Sequence, residues 1–145
     1  MKLLFMMIFM FLGLLQAQSL KDIQFPDAVV EEVTSIYDGD TFRANIQDYP
    51  TIVGYRMGIR IKGIDTPEMR AKCKKEKLLA REAKKETVAL LRSAQVIELK
   101  NISRGKYFRL VADVYADGVN VGDVLLQNKL AVTYDGGKKV KDWCN

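Results

Sequence analysis

Alternating apolar and polar residues mark several β-strands in this chain. In residues 41–46, Phe42, Ala44 and Ile46 alternate with polar residues, and a period of two predicts a strand with one buried face. Other segments are rich in β-branched side chains, which favour strands. The predicted strands are residues 28–37, 41–46, 55–64, 95–100 and 107–115.

Two further segments have the pattern of helices. In residues 77–94, Leu79, Ala83 and Thr87 recur at helical spacing, with lysines and glutamates on the opposite face. A second, shorter helix is predicted over residues 122–131. Three strands, a helix, two strands and a helix are typical of a small α+β fold that is mainly β. We therefore expect a five-stranded OB-fold barrel with packed helices.

The N-terminus has the pattern of a signal peptide. A lysine precedes an apolar run over residues 3–15, followed by small and polar residues, and this run is short for a membrane span. We expect residues 1–19 to be a cleaved leader and residues 25–145 to form one domain. The protein would then be exported, to the periplasm or to the medium, with no stable membrane span in the mature chain. An uncleaved membrane anchor is the alternative.

Export would place both cysteines, Cys73 and Cys144, in an oxidising compartment. An even count suggests one disulfide, and two free thiols are the alternative. A bridge would close a loop of about 70 residues and stabilise the fold by about 3–4 kcal/mol in the chain-entropy model.

Charge and composition narrow the possible chemistry. The formal net charge of +5 falls to +4 when the leader takes Lys2 with it, and a mildly basic chain is compatible with a polyanionic partner. The sequence has no histidine. Ser-His-Asp and Cys-His mechanisms and His-ligated zinc are therefore excluded, and acid–base chemistry must come from other side chains or from water.

Two acidic clusters are candidate ligands of a hard cation. Asp38 and Asp40 lie in one, and Asp65 and Glu68 in the other. Calcium prefers several carboxylate and carbonyl oxygens. Taken alone, however, the first cluster is typical of a hairpin turn and the second of a helix start. The first cluster also lacks the glycine and the glutamate that an EF-hand loop requires.

Two arginines add a second kind of chemistry. Arg60 lies on the polar face of the strand that leads to Asp65, and Arg109 lies within an apolar strand. Either side chain could simply face solvent. Guanidinium groups can also grip a phosphate and stabilise the charge that develops in phosphoryl transfer. Two arginines beside an oxygen-ligated cation indicate a phosphodiester-cleaving site.

Taken together, these blocks resemble the staphylococcal nuclease (thermonuclease) family. The matching blocks are "YDGDTF", "IRIKGIDTPE", "KYFR" and "VYADG", in the family's order and spacing. The resemblance implies an OB-fold enzyme that uses Ca²⁺ to cleave DNA and RNA and leaves 3′-phosphate ends. It implies that the protein acts as a monomer on these substrates.

The resemblance also implies roles for individual residues. Asp40 and Asp65 would offer carboxylates, and Thr66 its carbonyl oxygen, to calcium. Glu68 would hydrogen-bond the attacking water, as general base or by orienting it. Arg60 and Arg109 would hold the phosphate and stabilise its transition state. The nucleotide would be held by Lys106, Tyr107 and Tyr134.

The sequence departs from the family pattern in places. Phe108 occupies a position where relatives have glycine, and the tail is shorter than in the archetype. We expect a Cys73–Cys144 bridge to fasten the tail to the segment that follows Glu68. Residues 69–77 have helical propensity, but the resemblance favours a loop there.

Two other functions remain possible on the sequence alone. One is a non-catalytic nucleic-acid-binding barrel, and the other is a surface protein that uses the barrel as a calcium-stabilised scaffold. Because the metal carboxylates, both arginines and the glutamate are all present, the enzyme is the hypothesis we favour.

Overall fold

The computed structural model describes residue 23 and residues 25–145. The strands in this part of the chain are β1 (Ala28–Ile36), β2 (Thr41–Ile46), β3 (Met57–Ile61), β4 (Ile64–Asp65), β5 (Ile97–Arg104), β6 (Arg109–Ala116), β7 (Val119–Asn120) and β8 (Val132–Thr133). The helices are α1 (Thr51–Gly54), α2 (Lys74–Ser93) and α3 (Val121–Gln127).

Five strands close into a barrel. β1 pairs antiparallel with β2 and with β5, β2 pairs with β3, and β5 pairs with β6. A parallel pairing of β3 with β6 closes the ring. Alternate residues point inward, and the interior is filled by apolar side chains such as Phe42, Ile59, Leu99 and Val114. The predicted fold class, a mainly β OB-fold barrel with packed helices, is confirmed.

Some element boundaries differ from the predicted ones. The third strand ends at Ile61 and not at residue 64, because Gly63 turns the chain with a positive φ of 78°. The short β4 that follows pairs with β8. The fourth predicted strand continues through residues 101–104, past a register irregularity between Lys100 and Ser103 and a positive φ at Asn101.

Helix α2 begins at Lys74, three residues before the predicted start. Cys73 precedes it, and its Sγ accepts a hydrogen bond from the Glu76 amide. Residues 69–73 lie outside any helix, so the expected loop is present but shorter than predicted. The buried face of α2, with Ala83 and Thr87 at its centre, packs on the barrel.

A disulfide joins Cys73 and Cys144, as the cysteine count suggested. It attaches the C-terminal tail to the start of α2, where Lys75 Nζ also donates to the Asn145 carbonyl oxygen at 2.9 Å. Trp143 is buried beside this bridge. The expected leader lies outside the described residues, and none of the helices described is both long and apolar enough to cross a bilayer.

Candidate active site

The acidic turn between β1 and β2 is packed tightly against α2. Asp38 and Asp40 are both buried there. A Cβ atom added to Gly39 would lie 2.8 Å from Ala83 Cβ and 2.9 Å from Thr66 Cγ2. Glycine therefore lets the turn approach the helix, and the approach fixes where the two aspartates lie.

Asp40 is almost completely enclosed by hydrogen-bond donors. Its Oδ1 accepts from Arg60 Nη1 at 2.6 Å and from the Thr41 hydroxyl at 2.8 Å. Its Oδ2 accepts from the Thr66 amide at 3.0 Å. These bonds bring the first acidic cluster against the second, as expected if both belong to one site.

Arg60 joins the two clusters. Besides Asp40, its guanidinium donates from Nη2 to Asp65 Oδ1 at 3.0 Å and to the Ile64 carbonyl oxygen at 3.4 Å. Its side chain is only 15% exposed. It also lies 5.7 Å from the centre of the Tyr134 ring. Arg60 is therefore held in place by carboxylates on one side and is in reach of an aromatic ring.

A lysine that sequence reasoning missed reaches the same carboxylates. Lys139 Nζ lies 2.8 Å from Asp65 Oδ1 and also contacts Glu68 Oε1. Burial lowers the pKa of Lys139, but the hydrogen bonds and charges of Asp65 and Glu68 outweigh burial and raise this pKa overall. Nothing in the local sequence marks this lysine, since it is one of several in the tail.

Asp38 is a buried carboxyl group next to Asp40. Burial, followed by the charge of Asp40, raises the pKa of Asp38 to about 7, although the Asp40 amide and Arg60 oppose this rise. In the described part of the chain, no three of the site's carboxylates place oxygen atoms within 4.8 Å of one another. Arg60 and Lys139 supply the positive charge next to Asp40, Asp65 and Glu68.

Arg109 lies on the same barrel face as Arg60. Gly58 pairs with Arg109 across the parallel β3–β6 contact, and Arg60 follows Gly58 by two residues, a spacing that keeps side chains on one face. Among the described residues, Arg109 Nε is the one buried side-chain nitrogen or oxygen atom with no hydrogen-bond partner. Its guanidinium lies 6.0 Å from the centre of the Tyr107 ring.

A cleft of about 810 Å³ is lined by most of the predicted site residues. Three other predicted site residues, Asp40, Asp65 and Thr66, are buried and do not line the cleft. Its lining includes charged and aromatic residues: Asp38, Arg60, Glu68, Lys106, Tyr107, Arg109, Tyr134 and Lys139. The cleft thus carries acidic, basic and aromatic groups side by side.

The family model described as staphylococcal nuclease homologue matches residues 58–142, which is more than half of the chain. The chain belongs to this family. Curated proteins gave no match. Members of the staphylococcal nuclease homologue family generally hydrolyse nucleic acids and typically depend on a metal. The domain is therefore of a kind that acts as a nuclease or as a nucleic-acid-binding module. The matched residues include Arg60, Glu68 and Arg109, while Asp40 lies before them and joins them through its bond to Arg60.

Proposed function

We propose that this protein is a calcium-dependent nuclease that hydrolyses the phosphodiester bonds of DNA and RNA and leaves 3′-phosphate ends. One observation carries the proposal. Arg60 and Arg109 lie on one barrel face, beside buried aspartates and an exposed glutamate, in a cleft large enough for a nucleotide. This arrangement combines positive charge for a phosphate with oxygens for a hard cation.

The calcium ligands would be Asp40, Asp65 and the carbonyl oxygen of Thr66. The donor set fits a hard cation, because these ligands are oxygens and the chain contains no histidine. Burial first, and then the charge of Asp40, raise the pKa of Asp38, and a divalent cation at this turn would oppose that rise. A bound calcium would withdraw electron density from the phosphate and stabilise its developing charge.

Glu68 would orient the attacking water and accept its proton. Its side chain is 53% exposed and faces the cleft, so water reaches it directly. Its backbone amide donates to Glu76 Oε1 at 3.0 Å, which fixes the start of the loop to α2. With no histidine in the chain, a carboxylate is the natural base for this step.

The two arginines would have different tasks. Arg60 is already paired with Asp40 and Asp65, so its guanidinium is preorganised at the site. Arg109 forms no ion pair among the described residues and has an unpartnered Nε, so it can bind a phosphate without breaking an existing pair. We assign phosphate positioning to both and transition-state stabilisation above all to Arg109.

Three residues of the cleft wall would hold the nucleotide. Lys106 and Tyr107 lie at the β5–β6 turn, where both side chains are exposed. Tyr134 presents its ring near Arg60, while its hydroxyl donates to the Gly137 carbonyl oxygen at 2.7 Å. Aromatic rings beside cations are suited to bases and phosphates.

We also propose that the protein works outside the cytoplasm as a monomer, after loss of residues 1–19. The Cys73–Cys144 disulfide is compatible with an oxidising compartment. The leader itself would be tested by sequencing the N-terminus of the exported protein.

Product analysis tests the proposed reaction. Purified protein with calcium should cleave single- and double-stranded DNA and RNA, and the new ends should carry a 3′-phosphate. Glu68→Gln should abolish most of this cleavage, whereas Glu82→Gln, an exposed glutamate on α2, should not. Binding of nucleic acid without cleavage would instead assign the domain as a binding module.

A further inference from the structure

The C-terminal tail places a cation inside the carboxylate cluster. Lys139 Nζ lies 2.8 Å from Asp65 Oδ1 and contacts Glu68 Oε1. Asp65 is one of the proposed calcium ligands, and Glu68 is the proposed base. The same two carboxylates are therefore needed by the reaction and occupied by the tail.

The tail is fastened on both sides of this lysine. Before it, the Tyr134 amide donates to the Gly63 carbonyl oxygen at 2.8 Å, next to the β4–β8 pairing. After it, Cys144 is bonded to Cys73. Between these points Lys138 and Val140 are exposed. A segment held at both ends keeps the effective concentration of its ammonium group high at the site.

We propose that Lys139 is an internal counter-ion of this site, which competes with calcium for Asp65 and so sets the affinity of the site for the ion. The positive charge of Lys139 beside a ligand oxygen repels the doubly charged calcium ion. Loss of the lysine would also leave Asp65 and Glu68 less neutralised, and this makes an incoming cation more favourable. Both effects predict tighter calcium binding when the lysine is removed.

Lys139 differs from Arg60, the other cation at Asp65, in its exposure and in its partners. Arg60 is 15% exposed and also binds Asp40, whereas the Lys139 side chain is 43% exposed. Ion pairs with a solvent-exposed partner are weak, because water and salt compete with them. Lys139 is thus the cation that an arriving calcium ion can displace, and its departure frees Glu68 Oε1 for the attacking water.

Calorimetric titration with calcium chloride, with no nucleic acid present, tests the role. The oxidised protein is compared with Lys139→Met, with the charge-conserving Lys139→Arg and with Lys138→Met, which removes the preceding exposed lysine. Lys139→Met should lower the calcium Kd about fivefold, the scale of one partly exposed ion pair. Lys139→Arg and Lys138→Met should stay near the wild-type value.

A Kd for Lys139→Met equal to or higher than the wild-type Kd would overturn the counter-ion role. An equal drop in Lys138→Met would also overturn it, since net charge alone would then explain the change. The role rests on the proposed calcium site, but the two can fail separately. Calcium-dependent cleavage with equal Kd values overturns only the counter-ion, and a lower Kd in Lys139→Met without any cleavage overturns only the nuclease. Absence of calcium binding in every variant overturns both.

Discussion

Thr87 on α2 donates a hydrogen bond of 2.7 Å from its hydroxyl to the carbonyl oxygen of Gly39. Thr87 is fully buried, and Gly39 lies between Asp38 and Asp40. A helix residue that never reaches the cleft therefore fixes the turn that carries the proposed ligand Asp40.

Replacing this hydroxyl should weaken both the fold and the ion site. Thr87→Val keeps the shape but leaves the Gly39 carbonyl oxygen without its partner, at a cost of about 1–3 kcal/mol. Chemical denaturation should show this loss, and calorimetry should show weaker calcium binding. Thr51→Val, at an exposed position, is the control. An unchanged free energy of unfolding in Thr87→Val would contradict the role.

Removal of Arg60 should destabilise the protein as well as inactivate it. Arg60→Met leaves Asp40 and Asp65, both buried, without the guanidinium that joins them. Breaking a buried pair from one side costs about 3–5 kcal/mol, which denaturation would measure. Arg81→Met, on the exposed face of α2, should leave the free energy of unfolding unchanged. Full stability in Arg60→Met would show that the carboxylates do not depend on it.

Arg109 should behave differently from Arg60. Because Arg109 makes no ion pair in the described part of the chain, Arg109→Ala should leave the melting temperature close to that of wild type. The turnover number should fall about a hundredfold or more, as for the loss of a transition-state donor. A thermal melt checks the first statement and steady-state kinetics checks the second, each with Arg81→Ala as the control. Near-parental turnover in Arg109→Ala would contradict its assignment.

Opening the disulfide should lower stability. The bridge joins residues 71 positions apart, and closing a loop of that length contributes about 3–4 kcal/mol in the chain-entropy model. A reductant, or Cys73→Ser together with Cys144→Ser, should lower the melting temperature in a calorimetric scan. An unchanged melting temperature would show that the bridge does not stabilise the protein.

The barrel, and the closeness of several proposed site residues, could be predicted from sequence for physical reasons. Period-two alternation reports burial directly, as at Phe42 and Ile59 in the interior. Asp65 and Glu68 are close in the chain, so their neighbourhood is a local property. Arg60 also lies on the strand that leads to them, and the structure brings Asp40 to the same guanidinium.

What the sequence did not predict depends on the path of the chain in three dimensions. Lys139 meets Asp65 only because the β4–β8 pairing and the Cys73–Cys144 bridge direct the tail across the cleft. The two-residue strands β4 and β8 are also too short to give a periodic signal. Contacts of this kind leave no mark in the spacing of residues along the chain.

Calcium dependence of cleavage tests the central claim most directly. The rate of cleavage of single-stranded DNA should be measured with added calcium, with a calcium chelator, and with calcium restored after chelation. We predict cleavage in calcium, none in the chelator and full recovery on restoration, because the proposed ion, held by Asp40 and Asp65, would stabilise the charge that develops on the phosphate. Undiminished cleavage in the chelator would contradict the account.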